Sequence, residues 1–234
     1  MLIMIDGIEG GGKSTIVESW KKYASEQGKN IFDLKKYGLE NGRYPEYQEL
    51  QPYDIIFSAE PTFFGIGKII REEMIKNGSN YSELAIAQAY SLDRLVLYKK
   101  IIIPALRDNK IVIEDRGVST SLCYQALSGN LSLDLLAKLP GNALALEHRP
   151  DHLILISMSI ETAQKRLATR YEKQDDAIFD KIDFQQKAAA MYLSTEYQKL
   201  FTDRGTVIQY LNTDVEIDIM KQNAVNIFST IISK

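Results

Sequence analysis

"GIEGGGKS", residues 7–14, follows directly on the apolar run "MLIMID" and fits G-x-x-x-x-G-K-[ST] through Gly7, Gly12, Lys13 and Ser14. Glycines let a loop curl until successive backbone N–H groups converge on phosphate oxygens. A helix beginning at Lys13–Ser14 would aim the positive end of its dipole at the same anion. Lys13 would then reach the β- and γ-phosphates of a nucleoside triphosphate, and the Ser14 hydroxyl would take Mg2+. The other reading is a glycine-rich turn with a chance lysine. A strand before the loop and a helix after it favour the cradle.

The strand is one of five short β-branched or apolar runs, at 2–6, 54–59, 110–115, 152–157 and 206–211. Between them, segments of helical period cover 14–27, 65–77, 82–107, 119–138, 159–170 and 179–202. The alternation predicts an α/β fold, with a five-stranded parallel sheet and helices on both faces. Ligands in such sheets bind beyond the carboxyl ends of the strands. Residues 33–53 break the rhythm with four tyrosines and two prolines, and read as an inserted loop within a single domain, 1–234. As an insertion it is expected to decorate the surface, the alternative being to lie over the acceptor site.

Composition narrows the function. Of 234 residues 45% are hydrophobic and 25% charged, which is ordinary for a globular domain, and the formal net charge of -3 argues against nucleic acid polymer or an anionic membrane as partner. The single cysteine, Cys123, can form no disulfide within the chain, which fits a cytoplasmic setting. His148 and His152 are four apart, but Pro150 between them spoils a metal pair on one helical face. No run is long enough to predict a membrane span.

Several residues beyond the loop carry chemistry. Glu9 would be repelled by a bound triphosphate, so it either accepts a hydrogen bond from a sugar hydroxyl or is a solvated loop residue. Asp115, ending the third run, is placed to hold Mg2+ directly or through water, and Arg116 suits phosphate oxygens. Ser121, Tyr124 and Gln125 share one helical face. Tyr90 and Arg94, at i and i+4, form either a base-binding pair or a core tyrosine beside a surface arginine.

These segments together resemble the thymidylate kinase family. "DGIEGGGKST" is similar to its phosphate loop, "EPTFFGIGKIIRE" to E-P-G-G-T-x-x-G-x-x-I-R-E, and "AYSLDRLVLYKKIIIPAL" to F-x-A-D-R and its following helix. "IVIEDRGVSTSLCYQ" resembles V-I-x-D-R-Y-x-x-S-S-x-A-Y-Q, and "RPDHLILISMSIETAQKR" resembles R-P-D-L-T-L-Y-L-D-V-x-x-E-x-A-x-x-R. The match spans nearly the whole chain except 33–53.

The resemblance implies a three-layer P-loop fold and transfer of the ATP γ-phosphoryl group to dTMP with Mg2+, by a homodimer. It implies that Gly7, Glu9, Gly10, Gly11, Gly12, Lys13, Ser14 and Thr15 surround ATP, with Ser14 and Asp115 at the metal. Glu9 would meet the deoxyribose 3′-hydroxyl, Tyr90 would stack on thymine and Arg94 would reach its O4. Arg116 would handle phosphates, Ser121 and Gln125 would lie near the base edge, and Tyr124 would press on C2′. Arg166 and Arg170 would begin a mobile lid over about 166–180, with Lys173 inside it.

The chain departs from the family pattern at Ala59, Thr62-Phe63-Phe64, Gly117, Ser157 and Asp176. Glu114 supports an alternative, a deoxynucleoside kinase, because such enzymes keep a carboxylate near the acceptor 5′-hydroxyl. A kinase for another monophosphate is a further alternative on the same fold. A switch or partition ATPase is a third, but the chain has neither an N-K-x-D motif nor an early signature lysine in the loop.

Overall fold

The computed structural model describes residues 1–128, 131–168 and 182–233. The first half of the chain forms β1 (Leu2–Asp6), α1 (Lys13–Glu26), β2 (Ile31–Asp33), α2 (Leu34–Asn41), β3 (Ile55–Ala59), α3 (Gly65–Ile69), α4 (Glu83–Leu97), α5 (Ile103–Arg107) and β4 (Ile111–Asp115). The second half forms α6 (Val118–Leu127), α7 (Leu133–Lys138), α8 (Pro140–Glu147), β5 (His152–Ser157), α9 (Ile160–Ala168), α10 (Ile182–Leu193), α11 (Thr195–Thr202), β6 (Val207–Asn212) and α12 (Ile217–Ile232).

All strands pair in parallel in one sheet, ordered β2-β3-β4-β1-β5-β6. Alternate side chains serve opposite faces. Leu2 and Met4 join a core with Leu97, Leu122 and Tyr197, while Ile3 and Ile5 join one with Ile16, Trp20 and Phe228. Because both faces are covered, the strands read as unbroken apolar runs.

Among the described residues the sheet has six strands where five were expected. The extra one, β2, has only three residues at the sheet edge, too few to show a period. The segment 33–53 is likewise no plain loop. It carries α2, capped by Asp33 Oδ1 accepting from Lys36 N, and a 3-10 turn at Tyr47–Leu50. The expected helix at 82–107 is continuous but widens into a π-helical turn over Tyr98–Ile102, just before Pro104, whose missing N–H and ring bulk disrupt an α-helical ladder. The expected helix at 119–138 ends at Leu127, and α7 begins at Leu133. The one at 179–202 divides at Ser194, whose hydroxyl accepts from Tyr197 N and caps α11. α12 went unanticipated. It lies on α1, with Trp20 stacked on Phe228 at 5.3 Å.

α4 and α8 cross very closely at Gly141. A Cβ there would lie 1.8 Å from the Ser91 carbonyl oxygen. Gly141→Ala is expected to destabilise the fold by about 2 kcal/mol through forced separation of the two helices. Urea unfolding would read this as a lower midpoint at unchanged slope; an unchanged midpoint would contradict the close crossing. Among the described residues, no helix is long and apolar enough to cross a membrane.

Candidate active site

β1 delivers Asp6 to the carboxyl edge of the sheet, and the loop from Gly7 turns into α1. Gly12, with φ 84°, is the residue before the helix, in a backbone region that costs other residues strain. Gly10 has φ 76°, and a Cβ there would meet the Ala163 carbonyl oxygen at 2.7 Å. Lys13 is buried and folds back on its own loop, donating to the carbonyls of Gly7 and Ile8 at 2.8 Å each. Burial first, and then the Arg116 guanidinium, hold its amine down at about 8, against the pull of Glu9, Asp6 and Asp115. An incoming phosphate would supply the negative charge that this ammonium lacks.

The loop opens on a cleft of about 350 Å3, a size suited to a small ligand. Glu9, Gly10, Gly11, Gly12, Lys13 and Ser14 form one wall; Tyr90, Arg94, Asp115, Arg116, Ser121 and Tyr124 form another. Residues expected at two separate substrates therefore face one space. Gly7, Thr15 and Gln125 are not among its lining residues. Gln125 is buried, and its Oε1 has no hydrogen-bond partner among the described residues.

The strand register explains the convergence. Asp115 pairs with Ile5 of β1 and with Ala59 of β3, so three strands end side by side. The buried Oδ1 of Asp115 has no hydrogen-bond partner among the described residues, and exposed Ser14 lines the same cleft. A carboxylate and a hydroxyl are oxygen donors of the kind Mg2+ takes alongside substrate phosphates, so the residues fit the ion. Among the described residues there is no cluster of three or more acidic, His or Cys ligands that would hold a metal alone.

Arg116 follows with a left-handed φ of 67°. Its guanidinium pairs with Glu9, lies 3.6 Å from Asp6 and sits 5.7 Å over the Tyr124 ring. Glu9, the unusual carboxylate of the loop, thus has a cationic partner, and its N–H donates to Gln185 Oε1 at 2.8 Å. Asp6 is the hub beneath, accepting from Gly7 N at 2.7 Å, Thr120 Oγ1 at 2.7 Å and the Tyr192 hydroxyl at 3.0 Å.

On the facing wall Arg94 is fully buried, not a surface arginine. It donates to Glu60, to Ser121 Oγ at 2.9 Å and to Asn142 Oδ1, while Nε has no partner among the described residues. Tyr90 lines the cleft beside it, and burial pushes its hydroxyl up to about 12. Asp93 accepts from the amide and hydroxyl of Thr62, each at 2.7 Å, and so clamps the turn after β3 to α4.

A family model described as thymidylate kinase matches residues 46–219. A probable thymidylate kinase of Pyrococcus abyssi is 32% identical over 196 residues, covering 82% of this chain and 80% of the relative. A thymidylate kinase of Chlorobaculum parvum is 29% identical, covering 86% of each chain. One of Pediococcus pentosaceus is 25% identical, covering 99% of this chain and 98% of the relative, so the similarity reaches across the phosphate loop. The chain belongs to the thymidylate kinase family. It is accordingly a nucleotide-binding phosphotransferase.

Within that family frame, some sequence expectations change. Glu114 is fully buried, accepts from the Tyr98 hydroxyl at 2.9 Å and does not line the cleft. Burial first, then Glu60 beside it, pushes its carboxyl well above the usual range. It is turned from the cleft, so the support it lent to a nucleoside kinase is gone. Arg166 donates to the carbonyls of Thr213 at 2.7 Å and Val215 at 3.3 Å and does not line the cleft, although its Nη1 is 3.8 Å from where a Gly12 Cβ would stand. Arg170, Lys173 and Asp176 lie outside the described residues.

Gly117, where the family pattern carries a side chain, lines the cleft, and a Cβ there would meet Met4 Cε at 2.6 Å. Phe63, one of the departures from the family pattern, lines the cleft, as does Arg71, which was given no role from sequence. Arg71 Nε donates to the Pro61 carbonyl at 3.0 Å, and its guanidinium is close enough to Arg116 for the two charges to repel. The arginine of the family-like "IRE" was the available signal.

Proposed function

We propose that this chain transfers the γ-phosphoryl group of ATP to the 5′-phosphate of dTMP, giving dTDP and ADP. The observation that carries the reading is the single cleft shared by the phosphate loop, the Arg116–Glu9 pair and the Tyr90/Arg94 pair. Transfer between two phosphates needs alignment and positive charge around a loose transition state, and little covalent help. Lys13 and the loop N–H groups hold the donor. Arg71 and Arg116, two guanidinium groups that repel each other, hold the acceptor phosphate between them.

Tyr90 stacks on the thymine, and Arg94 offers its unused Nε–H to a base carbonyl. Glu9 exchanges part of its bond to Arg116 for the sugar 3′-hydroxyl. Ser14 and Asp115 would hold Mg2+, which when bound neutralises charge on the transferring phosphates. Arg166, beside Gly12, and Arg170 supply further charge to the donor. The same reading includes a cytoplasmic homodimer, for which exposed Ile69, Leu84 and Leu92 offer apolar surface.

The test is coupled ADP release with Mg-ATP against dTMP, dUMP, dCMP, dGMP, UMP and thymidine. The reading predicts dTMP as the best acceptor, with kcat/KM for UMP and thymidine lower by about 100-fold or more. Thymidine faster than dTMP, or no acceptor-dependent ADP, would overturn it. Tyr124 stands against the Phe184 ring edge at 5.1 Å, which holds it in place to crowd C2′. Tyr124→Ala should cut the discrimination between dUMP and UMP by about tenfold; an unchanged ratio would remove that role.

A further inference from the structure

The segment 33–53 is built into the wall of the cleft, and we propose that its Lys35 is an additional binding residue for the acceptor phosphate. Two sets of contacts seat the segment. Its Tyr44 ring meets Phe64 edge-on at 4.5 Å, and the Phe64 carbonyl accepts from Thr62 Oγ1 at 2.9 Å, in the turn after β3. Gly38 lies so close to Phe64 that an added Cβ would come within 1.9 Å of the ring. The segment is also braced from behind: Lys21 pairs with Asp33 at 2.6 Å, and the Tyr47 hydroxyl donates to the Pro104 carbonyl at 3.1 Å.

This seating brings the first turn of α2 to the cleft, where Lys35 is a lining residue. Its ammonium lies 4.6 Å from the centroid of the Phe63 ring, and the Arg71 guanidinium lies 3.8 Å from the same centroid. One aromatic ring therefore gathers two cations at the cleft. Of the cleft's three carboxylates, Glu9 is paired with Arg116, Glu60 with Arg94, and Asp115 ends β4. A phosphate dianion meeting Arg71 and Arg116 leaves Lys35 within a flexible side chain's reach of the same oxygens. The family-like "EPTFF" turn thus gains, from residues outside the family pattern, a cation that raises local phosphate concentration and slows its escape.

The proposal rests on the transfer reading above, and the experiment separates the two. Steady-state kinetics of the full chain are measured for Lys35→Met, which keeps an apolar stem over Phe63, for Lys35→Arg, and for Lys36→Met. The last removes the same charge one residue away, at an exposed position that does not line the cleft. At low ionic strength Lys35→Met should raise KM for dTMP by about fivefold, with kcat and KM for ATP within about twofold. Lys35→Arg should restore the parent KM, Lys36→Met should leave it unchanged, and the Lys35→Met effect should fade at about 0.5 M KCl.

An unchanged dTMP KM at low salt, an equal shift in KM for ATP, or the same shift in Lys36→Met would overturn the role of Lys35. If the parent instead used a different monophosphate, the transfer reading would fail on its own, and the same KM comparison made with that acceptor would still decide the lysine.

Discussion

Lys13→Met is expected to fold at least as well as the parent while losing phosphoryl transfer by about 10³-fold. The two halves of that result have one cause. The ammonium is buried against Gly7 and Ile8 carbonyls, and burial outweighs its carboxylate neighbours, bringing it from 10.5 to about 8. A folded pKa below the unfolded one means that the unfolded chain binds more protons between those values. Stability must therefore rise with pH across roughly 8 to 10.5, and below that window the buried charge costs about 3 kcal/mol at most. Methionine removes the cost together with the charge that ATP needs. Urea unfolding without nucleotide or Mg2+ should find the variant equal to or above the parent at pH 7, with the difference narrowing toward pH 9.5. A variant destabilised by several kcal/mol at pH 7 would show that the lysine serves the fold.

Arg94→Met should have the opposite profile, costing both stability and acceptor binding. Arg94 is the cation that faces Glu60, itself beside buried Glu114 and Asp93. Burial holds the Glu60 carboxyl up at about 7 even with the guanidinium in place. Without Arg94 it rises further, so the folded state must keep a proton that the unfolded chain releases near 4.5. Stability then falls as pH rises, and the parent shares this fall of about 1.4 kcal/mol per unit up to about pH 7; the variant continues it above that until its carboxyl ionises, an added loss of about 1.4 kcal/mol at pH 8. KM for dTMP should rise by about 100-fold, because Nε–H is the donor that Arg94 has left for a base. The double variant Arg94→Met/Glu60→Leu should lose the added pH slope in urea unfolding while binding dTMP no better. Persistence of that slope would place the unpaired charge elsewhere.

What the sequence disclosed depended on the range of the interaction. The phosphate loop was legible because its glycines, lysine and serine are adjacent and each meets a backbone or charge requirement. Tyr90 with Arg94, and Ser121 with Tyr124, were legible because helical spacing puts each pair on one face. The partners of Arg94 were not, since Glu60 and Asn142 are far off in sequence and come to it only when β3, α4 and α8 pack.

Nor does a three-residue strand such as β2 display a period. The helix α12 does show one, with Met220, Ala224, Phe228 and Ile231 buried, but it was not read out. The orientation of Glu114 was within reach: neighbouring strand residues point to opposite faces, so Asp115 in the cleft sends Glu114 away from it. The segment 33–53 looked like decoration because Tyr44, Gly38 and Lys35 have meaning only against Phe63 and Phe64, which lie beyond another strand.

The central claim is that both ends of a phosphoryl transfer meet in one cleft. The measurement that tests it most directly follows the label from γ-³²P ATP in a single turnover, with the protein in excess and dTMP present. Label appearing in dTDP, with little inorganic phosphate, is the predicted result. Label released as inorganic phosphate at the same rate with or without dTMP would contradict it, leaving a phosphate loop that hydrolyses nucleotide without an acceptor.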